Sequence, residues 1–350
     1  MKVAVTGASG FVGGAVCRAL TDQGIETLAF GRRPEVAPGH LGGAAYRSWD
    51  LTKGELPDAP EVDAVIHCAG TVTDWGPAAE FFATNLGGTR NALRTFPGAR
   101  FVHVSTASVY DPNRPTIMAT EAEAPPAGRS AVRGGTTPHT PRSGREAAPP
   151  PEIRYLNAYG ASKMAAERAV FSVMRGHGPA PWGRGRPRRE AIILRPHAVY
   201  GPGDTTLLPR VLSSVRGPVL PATGRGGNLV SLTSIGNLVD ACLLAACGPA
   251  GTGVYNVTDA EPVALRDALR EILAERNIKA RPIFLPARAV RPLATAVEGA
   301  FLLTRRPHPP RLTRYAVSHL AVERTLDITA ARDVLGYDPK PTSFAGAADW

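Results

Sequence analysis

Tyr159 and Lys163 stand four residues apart in the run Tyr159-Gly160-Ala161-Ser162-Lys163. On a helix that spacing puts both side chains on one face. A free phenol has a pKa of about 10, and bringing it near 7 takes roughly 4 kcal/mol. One ammonium at about 4 Å supplies roughly that much at an effective dielectric of 20. A tyrosine tuned this way exchanges a proton with a substrate oxygen at neutral pH. Tyr155 is a competing tyrosine, but the position four residues beyond it holds Tyr159 and not a lysine. Such a pair is common on ordinary helices, so its meaning depends on the other motifs in the chain.

The first of these is at the start. An apolar run, residues 2–6, leads into Thr6-Gly7-Ala8-Ser9-Gly10-Phe11-Val12-Gly13 and then a helical pattern. Glycines there permit a tight turn and let a pyrophosphate approach backbone N–H groups at a helix N-terminus. The GxxGxxG spacing, one residue longer than GxGxxG, makes Gly7, Ser9, Gly10, Phe11, Val12 and Gly13 candidate dinucleotide contacts. The second strand pattern ends Ala29-Phe30-Gly31-Arg32-Arg33. An acid at that tip would bind a ribose diol, whereas two guanidiniums suit a 2′-phosphate. Arg32 and Arg33 therefore favour NADP(H) over NAD(H).

Composition narrows the class. The 350 residues, 43% hydrophobic and 20% charged, allow about two domains and exclude a disordered chain. No apolar run reaches the roughly 18 residues of a membrane span, and the N-terminus lacks a signal-peptide pattern. Cys17, Cys68, Cys242 and Cys247 show no metal or disulfide spacing, and a reducing cytoplasm fits. The net charge of +10 comes almost entirely from arginines in 129–145 and 175–189, stretches without acids and with one aromatic, Trp182. Solvated loops explain that better than a nucleic-acid face, which needs stacking aromatics. We expect no metal, no nucleic acid and no transmembrane segment, and a small-molecule substrate.

Strand patterns at 2–6, 26–30, 44–48, 63–67, 100–105, 191–195 and 253–257 alternate with helical ones at 11–23, 80–95, 157–175, 236–247 and 263–276. That alternation argues for a parallel sheet covered by helices. Residues 111–152, rich in proline, and 176–189 read as irregular inserts. After 259 the alternation stops, and 281–320 is proline-punctuated and apolar. That segment reads as a pocket wall, an oligomer contact or a membrane-surface patch.

Seven motifs in order carry a resemblance. They are the GxxGxxG turn, Asp50-Leu51, His67-Cys68-Ala69-Gly70, Asn85, Ser105-Thr106-Ala107-Ser108-Val109-Tyr110, Tyr159-Gly160-Ala161-Ser162-Lys163, and Arg195-Pro196 through Tyr200-Gly201-Pro202-Gly203. The chain resembles the extended short-chain dehydrogenase/reductases of the NAD-dependent epimerase/dehydratase superfamily over nearly its whole length. The branch of 3β-hydroxysteroid dehydrogenases and dihydroflavonol reductases fits best, through Thr73-Asp74-Trp75-Gly76, Leu326-Asp327-Ile328 and Leu335-Gly336-Tyr337.

The resemblance implies an α/β fold with a Rossmann-type doubly wound parallel sheet and a smaller C-terminal substrate-binding lobe. The sheet domain would take 1–199 and 236–258, and the lobe 200–235 and 259–350. Thr106 would hydrogen-bond the substrate oxygen, Tyr159 would be the acid/base, and Lys163 would anchor the nicotinamide ribose. Asn85 would be a buried brace or a link in a proton relay. Asp50 and Leu51 would contact adenine, Ala69 and Gly70 would line the cofactor's path, and Pro196 and Val199 would complete its site. His67 and His103 read as packed core residues.

Sugar-nucleotide enzymes of this group usually carry Asn where Ala198 stands, and an arginine in the run that here reads Gly227 to Thr233. Arg225 is close but misplaced and reads as solvated. Without those anchors a diphosphate sugar loses its charge-assisted bonds. The reading is an NAD(P)-dependent oxidoreductase of an apolar or mixed-polarity ketone or secondary alcohol. The alternatives are a sugar-nucleotide epimerase or dehydratase using internal redox, and a non-catalytic NADP(H)-binding regulator. A homodimer through the helices near 80–95 and 157–175 is expected.

Overall fold

The computed structural model describes residues 1–37, 39–73, 75–124, 153–174, 190–249, 251–304, 310 and 312–350. Both arginine-rich stretches, most of the first insert, all of the second and Asp74 lie outside the described residues. The chain begins β1 (Lys2–Thr6), α1 (Phe11–Asp22), β2 (Glu26–Gly31), β3 (Ala45–Ser48) and β4 (Ala64–His67). Next come α2 (Ala78–Phe81) and α3 (Gly88–Thr95), joined by a π-helical turn over Phe82–Gly87, then β5 (Arg100–Val104) and β6 (Thr116–Ala119). Then follow α4 (Ala158–Met174), β7 (Ala191–Pro196), β8 (Val199–Tyr200), α5 (Leu207–Ser213), β9 (Val219–Thr223), β10 (Leu229–Val230) and β11 (Thr233–Ser234). The remainder is α6 (Ile235–Cys247), β12 (Gly253–Val257), β13 (Val263–Ala264), α7 (Leu265–Glu275), β14 (Arg281–Leu285), α8 (Ala287–Leu303), α9 (Arg314–Ala321) and β15 (Arg324–Leu326).

All seven expected strands form one sheet, in the order β12-β7-β5-β4-β1-β2-β3, with every pair parallel. Its central strands are buried on both faces, as apolar runs under helices must be. Alternate residues point opposite ways. Val3, Val5, Ile66, Val102 and Leu194 pack with Val16 and Leu20 of α1 and Leu238 of α6. Ala4, Val65, Phe101 and Ile193 pack with Leu93 of α3 and Val170 and Met174 of α4. The chain goes from β1 outward to β2 and β3, then returns to the other side of β1 for β4. That reversal opens a crevice at the strands' C-terminal ends.

Smaller pieces make up the rest. A four-stranded sheet runs β13-β10-β15-β6, and two parallel pairs, β8 with β11 and β9 with β14, flank it. Strand β6 lies inside the stretch expected to be irregular, so residues 116–119 correct that expectation. Its partner β15 is some two hundred residues away, and no local pattern announces such a pairing. The expected helix over 80–95 is interrupted by the π-turn. Residues 259–350 were expected in the smaller lobe, yet Ile328, Ala331, Leu335 and Tyr337 join the core of the large sheet. The apolar 281–320 segment packs partly inward through Val290, Ala294 and Val317, while Ile283, Leu285 and Leu293 stay exposed. Among the described residues no helix is long and apolar enough to cross a membrane, and no group of His, Cys, Asp or Glu could hold a metal. All four cysteines are free.

Candidate active site

Strand register brings the motifs to one line. Thr6 pairs with His67, His67 with His103, and Val104 with Leu194. Gly7, Cys68 to Gly70 and Thr106 therefore lie just past the strand ends, and Pro196 closes β7, all along the crevice. Pro196 is buried, and Val199 on β8 is half-buried opposite Thr233.

The glycine turn is shaped for close approach. Gly7 sits at φ +71, and a Cβ there would come within 2.6 Å of the Ala69 amide nitrogen. A Cβ on Gly13 would meet the Gly7 carbonyl oxygen at 2.3 Å. Helix α1 starts from Gly10 with no side-chain cap and no acid in its first turn, so its positive end is left for an anion. Ser9 lies beside the tip of β2, where a Cβ on Gly31 would stand 2.8 Å from its Oγ. Phe11 lies beneath Gly203, and Val12 packs on the core. The exposed Arg32 and Arg33 follow, and Tyr46 Oη donates to the Arg33 carbonyl at 2.6 Å. Asp50 accepts from the Thr52 hydroxyl and amide at 2.7 and 3.0 Å. Those bonds, with Lys53 and Arg32 nearby, hold its carboxyl below the usual range. Leu51 is buried, its carbonyl bonded by Asn91. This cradle, open where any Cβ would intrude, fits a dinucleotide.

The candidate catalytic residues lie on a stripe of α4 that faces three successive residues at and just past the end of β5. Lys163 Nζ donates to the Val104 carbonyl at 2.7 Å, Ser105 Oγ donates to Glu167 at 2.5 Å, and the Tyr159 phenol lies beside Thr106. Positions 159, 163 and 167 share one helix face. Gly160 allows the approach, since a Cβ there would come within 2.7 Å of the Ser108 carbonyl. Thr106 is extended and caps a short 3-10 turn over Ala107–Val109, accepting from the Ser108 amide at 3.1 Å. Tyr155 is turned away, its hydroxyl donating to the Val109 carbonyl at 3.0 Å.

The expected depression of the Tyr159 pKa is not present in the chain itself. Burial raises it, and the neighbouring Thr106 hydroxyl only partly offsets that. Lys163 directs its ammonium to the Val104 carbonyl. Lys163 itself is lowered to about 8 by burial, with the Glu167 carboxylate opposing.

Asn85 sits in the π-turn, a widening that recurs at functional sites. Its amide donates to Ser162 Oγ of α4 at 2.9 Å and to the Thr71 carbonyl at 3.2 Å, while its Oδ1 accepts the Thr71 amide at 2.7 Å. It braces the loop after β4 against α4, and a Cβ on Gly70 would lie 3.1 Å from Asn85 Oδ1 and 3.9 Å from Lys163 Nζ. His67 is packed between the Thr6 and Thr89 hydroxyls and stacks on His103.

Two features escaped the reading from sequence. Arg195, fully buried, makes a two-pronged pair with Glu167 at 3.0 and 2.7 Å and also donates to the Glu121 and Ala124 carbonyls. The i+4 spacing from Lys163 to Glu167 was the available signal. The other is Tyr315 of α9, whose Oη lies 2.8 Å from Ser108 Oγ. No local pattern links residues 207 apart.

Residues 3–258 match the NAD dependent epimerase/dehydratase family. A 2-alkyl-3-oxoalkanoate reductase from Shewanella oneidensis is 28% identical, over 95% of this chain and 81% of its own length. A 3 beta-hydroxysteroid dehydrogenase/Delta 5-->4-isomerase from Mycobacterium tuberculosis is 27% identical, over 97% of this chain and 86% of its own. The solved structure of MoeE5 in complex with UDP-glucuronic acid and NAD superposes with a TM-score of 0.68 at 21% identity, covering 100% of this chain and 97% of that one. That last likeness is one of fold.

Proposed function

Because the chain belongs to the NAD dependent epimerase/dehydratase family, we propose that it is an NADP(H)-dependent oxidoreductase interconverting a ketone and a secondary alcohol on a small apolar or mixed-polarity molecule. The observation that carries this reading is the convergence of Thr106, Tyr159 and Lys163 on the crevice edge beside the glycine cradle. When bound, the nicotinamide supplies or accepts the hydride. The glycine turn and the N-terminus of α1 hold the pyrophosphate, Asp50 and Leu51 flank the adenine, and Arg32 and Arg33 meet a 2′-phosphate. Ala69, Gly70, Pro196 and Val199 line the remainder. Lys163 holds the ribose next to Gly70. Thr106 donates to the carbonyl oxygen, and Tyr159 delivers the proton that turns it into a hydroxyl. Asn85 keeps the loop and α4 in place for this.

The named relatives that act on ketones or hydroxysteroids support a net redox reaction. Ala198 supports it too. Its backbone is left-handed, φ +49, a conformation Asn tolerates and alanine resists. An alanine there offers no polar group to a sugar. Between α3 and α4 lies a groove of about 460 Å³, lined by Leu86, Leu93, Ala165, Ala169, Arg90 and Arg168. We take the functional unit to be a homodimer across it.

The test is NADPH oxidation at 340 nm with a 2-alkyl-3-oxo acid as probe. Turnover that falls by about 10²–10⁴-fold in Tyr159→Phe supports the reading. A Tyr159→Phe protein with full activity contradicts it.

A further inference from the structure

The tip of β2 is pinned one carbonyl after another. The Phe30 carbonyl accepts the Ala8 amide of the glycine turn at 3.0 Å, and the Gly31 carbonyl accepts the Trp49 amide at 2.8 Å. At Arg33 both β2 and its neighbour β3 have ended, so no ladder bond continues. A side chain holds the Arg33 carbonyl instead, with Tyr46 Oη donating to it at 2.6 Å. Tyr46 belongs to β3, the edge strand of the large sheet, where it pairs with Ala29. A phenol reaching forward from the edge strand thus sets where the chain leaves the sheet.

The same hydroxyl fills the space beside Gly31. A Cβ there would stand 2.8 Å from Ser9 Oγ and 2.9 Å from Tyr46 Oη. An acid at that tip, which would take a ribose diol and repel a phosphate, would have to push both hydroxyls aside. The bond to Arg33 would go with them. What Tyr46 offers a ligand is indirect. Its one proton is committed to the Arg33 carbonyl, and the lone pairs left on its oxygen are of no use to a phosphate, itself an acceptor. Burial pushes the phenol's pKa up, so the proton stays in place at neutral pH, while the nearby charge of Arg33 pulls the other way. Arg32 and Arg33 are both exposed, and Arg32 shares its surroundings with the Asp50 carboxylate. Arg33 is the one whose backbone is fixed. A long arginine side chain loses rotamer freedom when it grips a phosphate, and a fixed backbone lowers that cost.

We infer that Tyr46 is a specificity-determining residue for the nucleotide: by holding the Arg33 carbonyl it positions the Arg33 guanidinium for a ribose 2′-phosphate, so that a nucleotide carrying that phosphate is chosen over one without it. The inference rests on the NADP(H) preference in the function proposed above. Tyr46 touches no reacting atom and acts through Arg33 alone.

Calorimetric binding of 2′,5′-ADP and of 5′-ADP to the full-length protein reads the 2′-phosphate by itself, without substrate or turnover. The wild type should bind 2′,5′-ADP about tenfold or more tightly than 5′-ADP, as a charge-assisted contact would give. Tyr46→Phe keeps the ring and loses only the hydroxyl. It should shrink that ratio by about three- to tenfold, the worth of one hydrogen bond, and leave 5′-ADP binding unchanged. Added to Arg33→Ala, the same substitution should shrink the ratio no further. If Tyr46→Phe does not fold, Tyr46→Met, which keeps apolar bulk without a donor, reads the same ratio. An unchanged ratio in Tyr46→Phe overturns the inference, and so does an equal weakening of both nucleotides, the mark of a merely structural tyrosine. A further loss in the Arg33→Ala background overturns the route through Arg33. A wild type that binds both nucleotides alike contradicts the NADP(H) preference and the inference with it, a result read from the wild type alone.

Discussion

At the scale of single residues, the site depends on groups whose charge is set by burial. Lys163 is the sharpest case. Its pKa of about 8 means an ammonium below that pH and a neutral amine above it. The ammonium is the form that suits Val104 and a ribose, so NADPH affinity should hold flat to pH 8 and then fall, by up to tenfold per unit. Titrating NADPH fluorescence from pH 6.5 to 9.5 checks this. Lys163→Met should bind about tenfold more weakly and show no break, and a break that persists in Lys163→Met contradicts the assignment. Tyr159 and Lys163 were legible in the sequence because their spacing is local. The direction of the Tyr159 shift was not, because it depends on where Lys163 points, and β5 settles that by offering the Val104 carbonyl.

At the scale of elements, α4 is fastened to β7 by the buried Glu167–Arg195 pair and to the end of β5 by Ser105 donating to the same Glu167. Both side chains are wholly buried and 2.7 Å apart at their closest. Removing one partner strands the other's charge, at about 3–5 kcal/mol. Arg195→Leu should therefore lower the urea midpoint severely, while Arg195→Leu with Glu167→Leu should recover much of the loss. A double variant as unstable as the single would show that Arg195 matters mainly through the Glu121 and Ala124 carbonyls. Most of the elements were readable. Six strands of the large sheet announced themselves as largely apolar runs, the mostly exposed β3 by its place in the alternation, and α4 and α6 as helical stretches. The π-turn and β6 were not, because the first is set by Asn85 reaching across to Ser162 and the second by pairing with distant β15. Tyr315 was hidden for the same reason.

At the scale of the whole molecule, the large sheet buries two stacked imidazoles at its centre. His67 is held down to about 3 and His103 well below the ordinary value, both by burial. Among the described residues His103 has no hydrogen-bond partner for either nitrogen. Unfolding returns both to about 6.5, so the unfolded chain binds more protons than the folded one below that pH. The stabilisation is complete above pH 6.5 and is lost as pH falls toward the folded values. By pH 5 His67 costs about 2 kcal/mol against a typical total of about 5–15, and His103 acts in the same direction. Urea midpoints should drop steeply between pH 7 and 5, and less so in His103→Phe. A pH-independent midpoint over that range would show that these imidazoles are protonated in the folded state.

The net reduction proposed for this chain requires that hydride leave with a product and that fresh NADPH replace the spent cofactor. The most direct measurement is the nucleotide content of freshly purified protein, followed by competition between NADPH and NADH. Net reduction predicts little bound nucleotide, full exchange, and tighter binding of NADPH, with the preference lost in an Arg32→Ser, Arg33→Ser double variant. Stoichiometric NAD that will not wash out would contradict it, and would point instead to an epimerase or dehydratase that returns the hydride to its own substrate.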